Sequence, residues 1–160
     1  MENIHKKFAD ELIEVEKLWN SADHLIYVTF PVVKDIGLLV RAFENLYKGL
    51  VFNISSILKL EYFYKRINLS QNTDKNLEVF IKKCSAKYGL DEDEGKIIKE
   101  IIFLGKKHKE SGFEFSKNEK IVILDDNLGS FELDIEKLKV FVKLLRKLLE
   151  NTNRNFRGFL

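Results

Sequence analysis

IGLLVRAFENLYKGLVFNISSILKLEYFYKRI, residues 36–67, is the stretch whose reading decides the fold. Leu39, Phe43, Leu46, Leu50, Ile54, Ile57 and Phe63 recur along it at helical spacing, and Val40, Tyr47, Val51, Leu58 and Tyr62 widen the stripe on both sides. An apolar face that broad belongs to a helix on which several neighbours pack. Roughly 30 residues at 1.5 Å each reach about 45 Å, more than a compact domain of this size needs. The excess invites a partner or a second copy of the chain. Arg41, Glu44, Lys48, Asn53, Lys59 and Glu61 interrupt the stretch. It therefore falls short of the roughly 18 uninterrupted apolar residues of a membrane span, and no membrane is expected among the partners.

Upstream, Phe8, Leu12, Val15 and Trp19 fall at helical spacing between Glu and Lys. Asn20 to Asp23 reads as a break, with Ser21 or Asp23 able to cap the next helical segment. Pro31, the one proline, must end or kink any helix there, because it lacks an amide donor and crowds the preceding turn. A turn or two of helix to Thr29 and a bend through Val33, Lys34 and Asp35 are expected.

Downstream, Leu77, Phe80, Ile81, Cys84 and Tyr88 mark a helix stopped by Gly89. Another spans Asp91 to Lys109, with Ile97, Ile98, Ile101 and Leu104 inward. The period then changes to two at Phe113, Phe115, Ile121 and Ile123, which predicts a hairpin at about 113–125. A last helix starts at Asp134 and carries Leu138, Phe141, Val142, Leu145, Leu148 and Leu149 on one face to Glu150. The expectation is a mainly α protein. About five helices form a bundle around one long central helix, with a small β-hairpin before the C-terminal helix. Residues 1–150 form a single domain, and 151–160 a basic, aromatic tail without period.

Composition sets further bounds. The 160 residues are 45% hydrophobic and 32% charged, with a net charge of +2, which is globular and neither strongly basic nor acidic. One cysteine makes no internal disulfide, and the first ten residues are polar and charged. A reducing, cytoplasmic setting is the default reading.

No enzyme is expected, because no catalytic motif is present. His5, His24 and His108 lack a second His or a Cys at ligand spacing, and Cys84 sits in an apolar stripe as a core thiol would. Asp125, Asn127 and Glu136 match three positions of a calcium loop, but Gly129 and Ser130 break the pattern. Asp91 to Glu94 reads as an acidic first helical turn. Glycine-rich phosphate cradles and nucleophile elbows are missing, so no cofactor or metal ion is expected.

Two kinds of surface remain. Phe43, Tyr47, Leu50 and Tyr62 on the long helix are candidates for an interface with a second copy or another protein. Lys106, Lys107 and Lys109, with Arg154, Phe156 and Arg157 of the tail, are candidate nucleic-acid contacts. Arg pairs with phosphate, and both Arg and Phe stack on bases. The primary expectation is an interaction module that self-associates or docks on a larger assembly. RNA or ribonucleoprotein binding is the alternative, and hydrolysis through His24 or His108 is third.

Ser21 to Pro31, the long helix after it and the hairpin before a terminal helix resemble small uncharacterised archaeal helical-bundle proteins. The bundle also resembles HEPN domains, many of which are RNases using an Arg followed four to six residues later by His. Arg41, Arg66, Arg146, Arg154 and Arg157 have no His at that spacing. The resemblance therefore implies a relative without the nuclease pair.

Overall fold

Asp35 starts the long helix. Its carboxylate accepts the Gly37 amide at 2.9 Å, which supplies a partner for one of the donors a helix start leaves unpaired. Helix α3, Ile36–Phe63, then runs 28 residues with Leu39, Phe43, Leu46, Leu50 and Ile57 almost fully buried. It ends in a turn fixed by two amides, Lys65 to the Tyr62 carbonyl and Arg66 to the Glu61 carbonyl. This Schellman pairing places Lys65 in the left-handed region at φ 59°. The computed structural model describes residues 2–110, 114–117, 119–124 and 129–157, with the backbone alone described at 2 and 114–117.

The described residues build five helical rods and a sheet. The first rod is α1, Glu2–His24, a π-helical segment Leu25–Thr29 and α2, Phe30–Val33. The expected break at Asn20 to Asp23 does not occur. Ala22 is fully buried, while Ser21 and Asn20 lie on the outer face, where Ser21 Oγ accepts a bond from Asn45 Nδ2 at 3.0 Å. Polar residues there satisfy themselves without ending the helix. Pro31 does not end it either: just before it the rod widens to π pairing, Phe30 N–H to Leu25 carbonyl. A π turn is one way of inserting a residue whose ring crowds the preceding turn. The bend comes at Lys34, φ 60°.

The next rod begins with α4, Thr73–Val79, which is capped by Asn72 and continues through a second π segment, Phe80–Cys84. Gly89 closes it at φ 77°. A Cβ there would meet Asn151 Nδ2 at 2.4 Å, so this turn demands glycine. Helix α5, Glu92–Glu110, opens on a reciprocal capping box: Asp91 accepts the Glu94 amide and Glu94 accepts the Asp91 amide.

Strands β1, Glu114–Lys117, β2, Lys120–Leu124, and β3, Ser130–Leu133, form one antiparallel sheet in that order. The hairpin is there, and a third strand extends it. Its register sets Ile121 against Leu133 and Ile123 against Phe131. Ile121, Val122 and Ile123 are all buried; the middle strand lies against α3 and α5, and Ile121 and Ile123, on one face of it, join the core there. Phe113 and residues 125–128, with the two calcium-pattern positions there, lie outside the described residues.

Helix α6, Ile135–Arg157, starts at Asp134, whose carboxylate accepts the Lys137 amide at 2.8 Å. It does not stop at Glu150. Thr152 is fully buried and Phe156 packs on Phe8 with ring centroids 4.9 Å apart. The apolar face of the helix thus passes on from Leu148 and Leu149 to these two, and residues 151–157 are its last two turns. The core is one cluster that all five rods and the sheet enter. Trp19 Nε1 donates to the Val142 carbonyl at 3.0 Å, and Asn53 Nδ2 to Thr152 Oγ1 at 3.1 Å, tying α6 to α1 and α3.

Candidate functional site

Because α3 is packed on by α1, α5 and α6, most of its broad stripe is consumed inside the chain. Phe43 and Leu50, expected at an interface, are each 1% exposed. Phe43 lies 6.4 Å from Phe141 and edge-on to His108 at 6.1 Å. These two belong to the core, and the wide stripe is explained by the neighbours it holds. Tyr62, at the far end of α3, is 55% exposed and adjoins exposed Phe63.

Along the middle of α3, a row spaced by four stays at least partly accessible: Tyr47, Val51, Ser55 and Lys59. Residues four apart stack into a ridge along a helix surface. This ridge stands between two depressions that share all four of its residues. On one side a cleft of about 410 Å³ lies between α3, α4 and α5, floored by Ile54, Leu58, Leu77 and Ile102. On the other a groove of about 380 Å³ runs towards Leu18 of α1 and holds Phe52. Val51 and Phe52 are 39% and 38% exposed, so apolar surface faces solvent on the ridge and beside it.

The ridge is held firmly at its Tyr47 end. A Cβ on Gly105 of α5 would fall 2.1 Å from the Tyr47 ring, so the ring lies directly on the α5 backbone. Lys109 Nζ, one turn further along α5, also lies over the ring, 5.0 Å from its centroid. The rims are basic. Lys48 and Lys109 line the second groove with Lys59, and no carboxylate lines it. Lys59 reaches Glu11 at 3.4 Å, and Lys106 reaches Asp74 across the mouth of the first cleft at 2.7 Å. Lys48 and Lys109 have no carboxylate within 4.0 Å among the described residues.

The sequence cluster Lys106 to Lys109 is not one patch. Lys106 turns to Asp74, Lys107 lies over the Phe103 ring, Lys109 lies over Tyr47, and His108 Nε2 shares a 3.0 Å bond with Glu44. Arg154 and Arg157 are exposed on the last turns of α6, at the end where Phe156 meets His5 and Phe8. Among the described residues, no hydrogen bond, ion pair or ring contact joins Arg154, Phe156 or Arg157 to Lys106, Lys107 or Lys109. Tyr47 is the one expected site residue of α3 that sits on the ridge. Lys106 and Lys109 come to its flanks from α5. Val51, Phe52, Ser55 and Lys59 are the site residues that sequence reasoning misses; the signal for Val51, Ser55 and Lys59 is the four-residue spacing along the edge of the stripe, and Phe52 lies off that row.

A polar cluster joins the end of α3 to the Tyr88 turn. Glu61, 3% exposed, accepts bonds from Arg66 Nε at 2.5 Å, Lys87 Nζ at 2.7 Å and the Tyr88 hydroxyl at 2.9 Å. Burial alone would raise its pKa, but the three donors outweigh burial and hold the carboxyl below its ordinary value. Burial, with Glu61 nearby, pushes the Cys84 thiol up to about 11, which keeps it protonated and unreactive at neutral pH. His24 bonds Thr29 across the first π segment, and His5 shares a 2.6 Å bond with the Tyr64 hydroxyl. No three His, Cys, Asp or Glu side chains converge among the described residues, and no described helix is long and apolar enough to cross a membrane. No family model, curated protein or solved structure matches the chain.

Proposed function

We propose that this protein is a non-enzymatic interaction module that docks on a larger assembly through the Tyr47–Lys59 ridge. The observation that carries this reading is a ridge between two depressions of about 400 Å³ each, with the apolar side chains of Val51 and Phe52 open to solvent. Exposed apolar surface rimmed by charge is the usual mark of a protein contact. A third depression, lined by Phe52 from its other side together with Asn3, Lys6, Asp10, Glu11 and Glu14, carries charges of both signs and no floor of aliphatic side chains.

Self-association through the same face is less favoured. A two-fold contact sets each patch against its own copy, which would bring Lys48 and Lys109 of both chains together. RNA binding is also the weaker reading, since the Lys106 cluster points in several directions and Phe156 is engaged in the core.

A photoreactive residue at Val51, compared with one at exposed Lys143, tests the reading in the native host. A discrete adduct at 51 and none at 143 is the expected result. Equal labelling at both positions, or none at either, removes the ridge as the working surface. An adduct of twice the chain's mass moves the reading to self-association.

A further inference from the structure

We infer that the occupant of the ridge and its two grooves is an acidic amphipathic helix of another protein. The inference rests on the docking reading above and adds the chemistry of the partner. Three features of the surface select it.

The first is shape. Tyr47 to Lys59 spans twelve steps, about 18 Å or just over three helical turns. A row of residues four apart flanked by two furrows is the surface into which another helix sets its own rows. Partner residues spaced at i, i+4 and i+7 would fill the furrows, while the small Ser55 leaves room for close approach in the middle. An extended strand would instead need an unpaired sheet edge to bond, and the walls here are helices, with the link residue Leu69 adjoining them.

The second is charge. Lys48, Lys59, Lys106 and Lys109 line the two depressions against a single lining carboxylate, Asp74. Asp74 already holds Lys106, and Glu11 holds Lys59. Lys48 and Lys109, both lining the second groove beside Tyr47, are left to pair with an incoming carboxylate. Complementary rim charges of this kind fix orientation and speed association.

The third is the floor. Ile54, Leu58, Leu77 and Ile102 accept apolar side chains, with no buried charge for a partner to satisfy. A purely polar or purely anionic ligand would leave that floor wet.

The test is a fluorescence-anisotropy titration of the full chain with three labelled peptides of about 15 residues. All share one leucine face at i, i+4 and i+7, and their polar faces carry Glu, Gln or Lys. The Glu peptide is expected to bind roughly tenfold more tightly than the Lys peptide at low salt, with the gap narrowing as salt screens the rim. The double variant Lys48→Glu, Lys109→Glu should reverse the order, and Val51→Glu should weaken all three. Circular dichroism of these exposed-site variants confirms that they fold. Equal affinity for the three peptides, no binding by any of them, or no reversal in the charge-swapped variant overturns the inference. Displacement of the Glu peptide by a single-stranded RNA, or a dimer that Val51→Glu dissolves, overturns it in favour of that occupant. If the adduct at 51 forms while the Glu peptide fails, docking stands and the acidic helix falls. If both fail, both readings fall.

Discussion

Lys65 holds a left-handed backbone at φ 59°, where a side chain costs roughly 1 kcal/mol that glycine would not. It stays there because the Schellman turn needs that conformation and Arg66, next in line, reaches back to Glu61. Lys65→Gly should therefore stabilise the fold by about 0.5–1 kcal/mol, read as a higher urea midpoint with unchanged slope. Glu61 itself contributes through its charge. Its folded pKa is depressed, so its stabilisation is complete above its unfolded value and is lost as pH falls through the folded one. Glu61→Gln should cost about 1–2 kcal/mol at pH 7, because it takes the negative partner from Arg66 and Lys87, two cations that solvent still partly reaches. The difference from the parent should shrink as pH falls from about 4.5, the ordinary value at which the unfolded chain takes up this proton, towards the lower value of the folded carboxyl. Urea unfolding of both proteins at several pH values checks this. A gap that stays constant with pH would mean the cost is packing and not charge.

At the scale of elements, strong apolar periodicity is legible and polar residues are the source of error. Residues 36–67 read as one helix because Leu39, Phe43, Leu46 and Leu50 all fall on one face, and they are buried as that pattern requires. Asn20 to Asp23 looks like a break because short polar side chains favour caps, yet the fully buried Ala22 among them keeps the stripe of α1 continuous. Residues 151–157 look aperiodic for a related reason: Thr152 and Phe156 carry the inward face, and the asparagines between them bond backbone carbonyls, Asn151 to Tyr88 and Asn153 to Leu149. Four residues, Ser130–Leu133, are too few to show a period, so the third strand leaves no signal in the sequence. The candidate site is half legible. Composition picks out Tyr47, Lys106 and Lys109, but whether a residue on the long helix faces core or solvent depends on which neighbours cover it. Phe156→Ala should lower stability by about 2 kcal/mol, since its ring packs on Phe8 and beside His5. Thermal unfolding followed by circular dichroism measures it, and an unchanged midpoint would mean that the last turns of α6 are not part of the core.

For the whole molecule, the arrangement is a bundle whose central helix spends most of its apolar face on its own chain and keeps one edge in the open. That edge is closely packed from within: the Tyr47 ring lies on the Gly105 backbone with Lys109 over it, and a Cβ on Gly49 would meet Leu145 at 3.0 Å. A surface already in place loses less ordering entropy when a partner docks than one that must form. The proposed docking surface is the ridge; a second exposed surface lies beyond the end of α3, where Tyr62 and Phe63 are exposed, Arg66 lies over the Tyr64 ring and α6 carries Arg154 and Arg157. The measurement that separates them is amide chemical-shift mapping of the isotope-labelled full chain during titration with the acidic amphipathic peptide. The account predicts that the perturbed amides cluster at Tyr47 to Lys59, Leu77 and Ile102 to Lys109, with Arg154 to Arg157 unmoved. Shifts gathered at Tyr62 to Arg66 and Arg154 to Arg157, or none above noise at saturating peptide, would contradict it.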